Sequence, residues 1–311
     1  MKIGVIGLGT VGKSVLNILS NEKNRLNKEI GDIEVVKICD LKDNGITGYD
    51  FTDDYKEIIN DPKIDTVVEL IGGVKVAYEI SKIVLASKKN LVTANKHLLA
   101  VYGNELFSLA EENNVKLQYE ASIGGGIPVV GPIKENLFLN DFKNIRGILN
   151  GTCNYILTKM EEGMSYSKAL EDAQNKGYAE ADPTFDVKGI DTAHKINLLA
   201  HLAWGNLKEF SEISIAGIDT LTKEDIEIAK SKGLRYKLLG EANFDGKELT
   251  VRVAPMAVKK DELLYSVNGV YNAVELEGNY TGKTVFYGEG AGGDATATAV
   301  ISDIYKIKLG G

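Results

Sequence analysis

The sequence predicts an α/β protein, a doubly wound parallel sheet that carries an inserted α+β domain. Three observations predict it. The chain opens on a short apolar run, Met1-Lys2-Ile3-Gly4-Val5-Ile6, which passes through Gly7-Leu8-Gly9-Thr10-Val11-Gly12 into the helix-like stretch Lys13 to Leu19. Strand and helix patterns then alternate to about residue 120, the rhythm of crossover units in a parallel sheet. At Ser122-Ile123-Gly124-Gly125-Gly126-Ile127-Pro128 that rhythm stops, and such a glycine cluster closed by proline marks a domain boundary.

The elements follow in order. Ile33 to Cys39 reads as a second strand, ending at Asp40. Thr52-Asp53-Asp54-Tyr55 reads as a cap with early acidic residues, opening a short helix through Ile59. Asp65 to Leu70 is a third strand, closed by Ile71-Gly72-Gly73. Ala77 to Ser87 is apolar at helical spacing, Asn90 to Thr93 is a short strand, and Ala94-Asn95-Lys96 follows it. Asn104 to Glu112 is helical, and Val115 to Tyr119 is a fifth strand. Beyond the boundary, helical patterns at 154–162, 165–176 and 187–204 precede strand-like segments at 235–243, 248–258 and 270–276. That order predicts an antiparallel or mixed sheet. Tyr287 to Gly293 reads as a second glycine-rich turn. It leads into a last helix whose Ala297, Val300, Ile301 and Ile304 share one face, expected to return to the first domain. The expected division is 1–130 completed by 288–311, with 131–287 between them.

Composition narrows the function. With 311 residues the chain can bury a large core without disulfide staples. The formal net charge is −8, from 44 acidic against 36 basic residues, and no basic run interleaved with aromatics appears. Nucleic acid is therefore not an expected partner. Two cysteines, Cys39 and Cys153, support neither a disulfide framework nor a cysteine-rich zinc site. Met1 starts directly on the first strand, and no apolar run is long enough to span a bilayer. A cytoplasmic enzyme with no membrane partner fits these features.

The opening motif carries the first chemistry. Strand, G-x-G-x-x-G turn and helix in that order form a Rossmann-type dinucleotide site. Gly7 allows the tight turn, Gly9 lets a pyrophosphate approach the backbone, and Gly12 lets helix and strand pack closely. The helix N-terminus presents free N–H groups and a partial positive charge to phosphates. Asp40 stands at the end of the second strand, where a carboxylate accepts ribose hydroxyls and repels a 2′-phosphate. Leu41 follows it in place of an arginine, so NAD is favoured over NADP, with Lys42 and Lys56 left as phosphate partners. The spacing from Gly12 to Asp40 exceeds the usual twenty or so residues and implies an extended first helix or loop. Lys96 also follows a strand end, the edge of an open sheet at which ligands bind.

A second cluster runs through Glu180, Asp182, Asp186, Asp191 and Lys195. Asp191 and Lys195 are four apart, on one helix face. They read either as an i,i+4 ion pair or as an acid–base pair. The apolar Ile196, Leu198, Leu199, Leu202 and Trp204 imply a largely buried helix. Burial strips hydration from a lysine ammonium and moves it toward the range of a proton shuttle. Glu180, Asp182 and Asp186 add carboxylates suited to an amino-acid ammonium. His97, His194 and His201 show no metal-ligand spacing, and Cys153 has no histidine in its local motif to activate it.

Taken together the motifs resemble the homoserine dehydrogenases, in the short form without a regulatory domain. The resemblance rests on the Gly7 to Gly12 turn, Val68-Glu69-Leu70-Ile71-Gly72-Gly73, Thr93-Ala94-Asn95-Lys96, and Tyr119 to Pro128. It continues in Asn150-Gly151-Thr152-Cys153-Asn154-Tyr155-Ile156-Leu157, Gly177 to Pro183, Asp191 to Lys195, and Gly290-Ala291-Gly292. It implies reversible NAD(P)-dependent interconversion of L-homoserine and L-aspartate 4-semialdehyde in threonine and methionine biosynthesis, by a homodimer. It implies that Lys195 exchanges the proton at the substrate oxygen, with Lys96 assisting. Glu180 would bind the substrate ammonium, and Asp191 would hold substrate or orient Lys195. Asp182 and Asp186 are further substrate-binding candidates. Gly7, Gly9, Thr10, Val11, Gly12, Asp40, Ile71, Gly72, Thr93, Lys96 and Gly292 would line the cofactor. A structural sodium ion would sit at Glu120, Ile123, Gly125 and Ile127, held mostly by backbone carbonyls.

Three other readings remain. Another two-domain nicotinamide oxidoreductase would explain the glycine turn but not the Glu180 to Lys195 cluster. A phosphorylating semialdehyde dehydrogenase would need an activated cysteine. A non-catalytic dinucleotide-sensing protein would dispense with Lys195.

Overall fold

A computed structural model describes residues 1–43 and 45–310; Gly311, the end of the expected 288–311 segment, lies outside them. The chain separates into two compact units, Met1–Gly126 with Ala291–Gly311, and Ile127–Gly290.

The first unit is built on β1 (Lys2–Ile6), β2 (Glu34–Cys39), β3 (Phe51–Thr52), β4 (Thr66–Glu69), β5 (Asn90–Thr93) and β6 (Leu117–Gln118). They form one sheet in the order β3-β2-β1-β4-β5-β6. Every pairing is parallel. The strand order reverses at β1, which is where such sheets bind nucleotides. Helices α1 (Thr10–Asn21), α2 (Lys23–Ile30), α3 (Tyr55–Asn60), α4 (Lys75–Ala86), α5 (Lys96–Glu112) and α11 (Gly293–Lys308) complete the unit. The pair α1 and α2 accounts for the long spacing before Asp40. Gly12, Val15, Leu16 and Leu19 of α1 are buried at helical spacing. Val15, Leu16 and Leu19 pack in one cluster with Ile3, Val5 and Val68 of the sheet and with Ala297, Val300 and Ile304 of α11.

The second unit contains β7 (Phe142–Ile148), β8 (Ser214–Ile215), β9 (Leu234–Phe244), β10 (Leu249–Lys259), β11 (Tyr271–Gly278) and β12 (Gly282–Glu289). Their order is β12-β11-β7-β9-β10-β8. The sheet is mixed: only β8 pairs in parallel, with β10. Its helices are α6 (Gly151–Glu161), α7 (Tyr166–Asn175), α8 (Thr184–Val187), α9 (Ile190–Trp204) and α10 (Lys223–Ser231). Residues Asp191 to Ala200 of α9 are all buried, so this helix is enclosed all round. It lies close against β9. A Cβ on Gly240 would come 2.9 Å from Ile196 and 3.1 Å from Thr192.

Several boundaries differ from the sequence reading. Tyr287 to Glu289 are not turn but the end of edge strand β12. The 187–204 helix divides, because Gly189 takes φ 81° and separates α8 from α9. The fifth strand contracts to Leu117–Gln118, and α5 begins at Lys96 rather than Asn104.

Candidate active site

In the first unit the candidate residues collect at the carboxyl ends of β1, β2, β4 and β5. Gly7 has φ 107°, and a Cβ there would lie 2.6 Å from the Leu70 carbonyl carbon. Gly12 is tighter, since its Cβ would come 2.1 Å from the Gly7 oxygen. Around Gly9, by contrast, nothing lies within 4 Å of an added Cβ. The backbone at Gly9 is therefore open to close approach, as a phosphate-binding turn requires. Thr10 is exposed and Val11 half-buried at the start of α1. Asp40 reaches back to this turn: its Oδ2 accepts from the Leu8 amide at 2.5 Å, and Oδ1 accepts from the Leu41 amide at 2.6 Å. Ile71 and Gly72 follow β4, Thr93 ends β5, and Lys96 is the first residue of α5, capped by the Asn95 side chain. Gly292, with φ 133°, precedes α11.

The second unit gathers Asp186, Asp191 and Lys195 around Asn150. Lys195 Nζ donates to the Leu149 carbonyl at 2.7 Å and lies 3.0 Å from Asp191 Oδ2. Asn150 Nδ2 donates to Asp191 Oδ2 at 2.9 Å and to Asp186 Oδ1 at 2.7 Å. Its Oδ1 accepts from the Cys153 amide and caps α6. Asp191 and Lys195 are both buried, at 4% and 8% exposure, so this pair is not a solvated surface bridge. The structure does not bring Asp182 into the group. Its carboxylate accepts from the Thr184 amide and hydroxyl, and that hydroxyl holds its pKa down. Glu180 is exposed, on a segment tied by Gln174 Nε2 to the Glu180 carbonyl at 3.1 Å. Cys153 is buried, and loss of hydration pushes its thiol well above the ordinary range, opposite to an activated nucleophile. His194 packs against Phe210 at 4.9 Å between ring centres.

Glu120, Ile123 and Gly125 of the first unit are buried, as is Ile127, which opens the second. The Glu120 carboxylate accepts from Lys306 Nζ at 3.0 Å, so its charge is already met within the unit.

Comparisons with known proteins fit this geometry. Residues 128–305 match the family model described as homoserine dehydrogenase, and residues 7–120 match its NAD binding domain. A homoserine dehydrogenase of Neisseria gonorrhoeae is 42% identical over 99% of this chain and 72% of its own length. The chain belongs to the homoserine dehydrogenase family. Its structure superposes on that of a homoserine dehydrogenase from Thiobacillus denitrificans with a TM-score of 0.95 and 39% identity, covering 99% of this chain and 73% of that one. A putative homoserine dehydrogenase from Archaeoglobus fulgidus gives 0.90 at 32% identity, with 99% of both chains covered. A hyperthermophilic archaeal homoserine dehydrogenase solved in complex with NADPH gives 0.84 at 27% identity, covering 100% and 98%.

As a member of that family it is an NAD(P)-dependent oxidoreductase acting on homoserine. No helix among the described residues is long and apolar enough to cross a membrane. Sequence reasoning missed Asn150, whose two carboxylate partners lie 36 and 41 residues away. It also passed over Glu69, fully buried at the end of β4. Burial pushes the Glu69 carboxyl from 4.5 up to about 7, against the pull of the Thr93 hydroxyl and the Ile71 amide. Between those two values the folded chain keeps a proton that the unfolded chain has released. The stability from this group is full below 4.5 and is lost as pH rises through about 7, a change on the order of 3 kcal/mol. Glu69→Gln should therefore flatten the melting temperature between pH 5 and 8. An unchanged slope in thermal scans would exclude Glu69 as its source.

Proposed function

We propose that Lys195 is the proton-transfer group of homoserine oxidation, with Lys96 assisting, and that the product is L-aspartate 4-semialdehyde. One observation carries the reading: a buried lysine amine held 2.7 Å from a carbonyl and 3.0 Å from a carboxylate on the same helix face. Bound nicotinamide supplies the hydride acceptor at C4. Lys195 Nζ would take the hydroxyl proton while the carbinol hydrogen passes as hydride to that acceptor, leaving the alcohol an aldehyde. In reduction the ammonium returns that proton to the aldehyde oxygen. Asp191 orients Lys195 and stabilises its charged form. Glu180 and Asp186 offer carboxylates to the substrate ammonium. Asp182, engaged by Thr184, shapes the segment that carries Glu180.

The cofactor is held by the Gly7 to Gly12 turn, Ile71, Gly72, Thr93, Lys96 and Gly292, and it is NAD in preference to NADP. Asp40 supports that preference, since a carboxylate fixed against the glycine turn favours ribose hydroxyls and opposes a phosphate. Asp40→Asn keeps an acceptor for the Leu8 amide and removes the charge. The ratio of kcat/KM for NAD to that for NADP should fall about 10- to 100-fold. Initial rates at 340 nm with L-homoserine and each cofactor measure it, and an unchanged ratio would remove Asp40 as selector. A structural sodium ion, where bound, takes the carbonyl oxygens of Glu120, Ile123, Gly125 and Ile127. The enzyme acts as a homodimer through the second unit. The partly exposed Tyr271–Tyr287 stack, 5.2 Å between ring centres, supports a contact surface there.

A further inference from the structure

Glu69 is a buried carboxyl that the proposed chemistry does not use, yet three loops of the cofactor side converge on it. In the sheet it pairs with Ile6 of β1 on one side and Thr93 of β5 on the other. Its Oε1 accepts from the Ile71 amide at 2.8 Å, and Oε2 accepts from the Thr93 hydroxyl at 2.6 Å. The Leu70–Ile71 backbone so held is the surface on which the glycine turn rests, because a Cβ on Gly7 would lie 2.6–2.9 Å from it. Thr93 Oγ1 in turn accepts from the Asn95 amide at 3.0 Å. Asn95 Nδ2 donates to the Gly73 carbonyl at 2.6 Å, while its Oδ1 caps α5, whose first residue is Lys96. One carboxylate thus fixes the loop after β4 to the turn after β5, and through Leu70–Ile71 it backs the loop after β1.

We propose that Glu69 is a positioning residue for the cofactor, holding the loops after β1, β4 and β5 in the arrangement that the nucleotide binds. The inference rests on the cofactor site proposed above. A network of this kind acts by preorganisation, so its loss weakens binding without changing the groups that touch the ligand.

The test is NADH binding by fluorescence titration on the full chain, with steady-state kinetics alongside. Glu69→Gln can still accept from the Ile71 amide and can donate to Thr93 Oγ1, so its Kd should stay within about threefold of wild type. Glu69→Asp keeps the charge but is one methylene too short to span both partners. Its Kd and cofactor KM should rise about tenfold or more, while kcat at saturating cofactor and the KM for homoserine move less than about threefold. Asn95→Asp keeps the cap on α5 but loses the donor to the Gly73 carbonyl, so it loosens the same two loops at a residue that does not itself hold the cofactor, and it decides the matter if Glu69→Asp does not fold. A purely structural role would lower the active fraction and leave Kd unchanged. Wild-type Kd in folded Glu69→Asp, or in Asn95→Asp where Glu69→Asp does not fold, overturns the proposal. Absence of NADH binding by the wild type would instead overturn the cofactor site itself.

Discussion

Lys195→Met is expected to bind nicotinamide nucleotide with a Kd within about threefold of wild type and to lose roughly 10³-fold or more of kcat in both directions. Methionine nearly preserves the volume of a side chain that is 8% exposed in the enclosed helix α9, so the change removes the amine more than the packing. Asp191 remains partnered by Asn150 at 2.9 Å, which limits the cost of a stranded buried carboxylate. The loss of the Leu149 contact exposes one carbonyl to an unmet bond, about 1–3 kcal/mol of stability. Lys195→Arg separates the two roles that a cation can play here. A guanidinium keeps the positive charge beside Asp191 but does not give up its proton at neutral pH. If Lys195 moves a proton, the arginine variant is as inactive as the methionine one. If arginine restores activity to within tenfold of wild type, the role is electrostatic and the proton goes elsewhere. Single-turnover absorbance at 340 nm, with cofactor bound beforehand, reads the chemical step free of product release.

What could be read from the sequence was whatever is written locally. The glycine turn is six consecutive residues, and Asp191 and Lys195 are one helical turn apart, so both show in the linear chain. The last helix showed its buried face, Ala297, Val300, Ile301 and Ile304, for the same reason. Two of the elements that escaped have little local signature. Phe51–Thr52 is too short for any periodicity. Strand β12 lies at the sheet edge with no buried residue, so Gly282, Gly288 and Gly290 outweighed its pattern. Asn150 looks like a helix cap and is one. Its second role needs Asp186 and Asp191, which only the folding of α8 and α9 beside α6 supplies. Glu69 presents the same difficulty, because a charged residue at a strand end reads as solvent-facing until β1 and β5 are known to flank it. Asp182 is local in the opposite sense. Its nearest partner is two residues away at Thr184, and a turn contact of that kind leaves less of the group for a ligand.

Two glycines of the phosphate turn, Gly12 and Gly9, should fail in opposite ways. Gly12→Ala is expected to unfold the first unit at temperatures the wild type survives, with a destabilisation of about 3–5 kcal/mol. The new methyl would sit 2.1 Å from the Gly7 carbonyl oxygen. Both groups belong to backbone, α1 on one side and the end of β1 on the other, so no side chain can swing aside. Relief requires α1 to move off the sheet, and α1 shares a core with Val5, Val68 and Val300. Gly9→Ala meets nothing within 4 Å, its φ of −68° is ordinary for alanine, and its melting temperature should stay within a few degrees of wild type. What it fills is the space a pyrophosphate needs, so NADH affinity should fall about 100-fold or more. Differential scanning calorimetry and NADH titration on both variants give four readings. A stable Gly9→Ala that binds NADH normally would move the phosphates away from this turn. A Gly12→Ala as stable as wild type would show that helix and strand are not in the contact described.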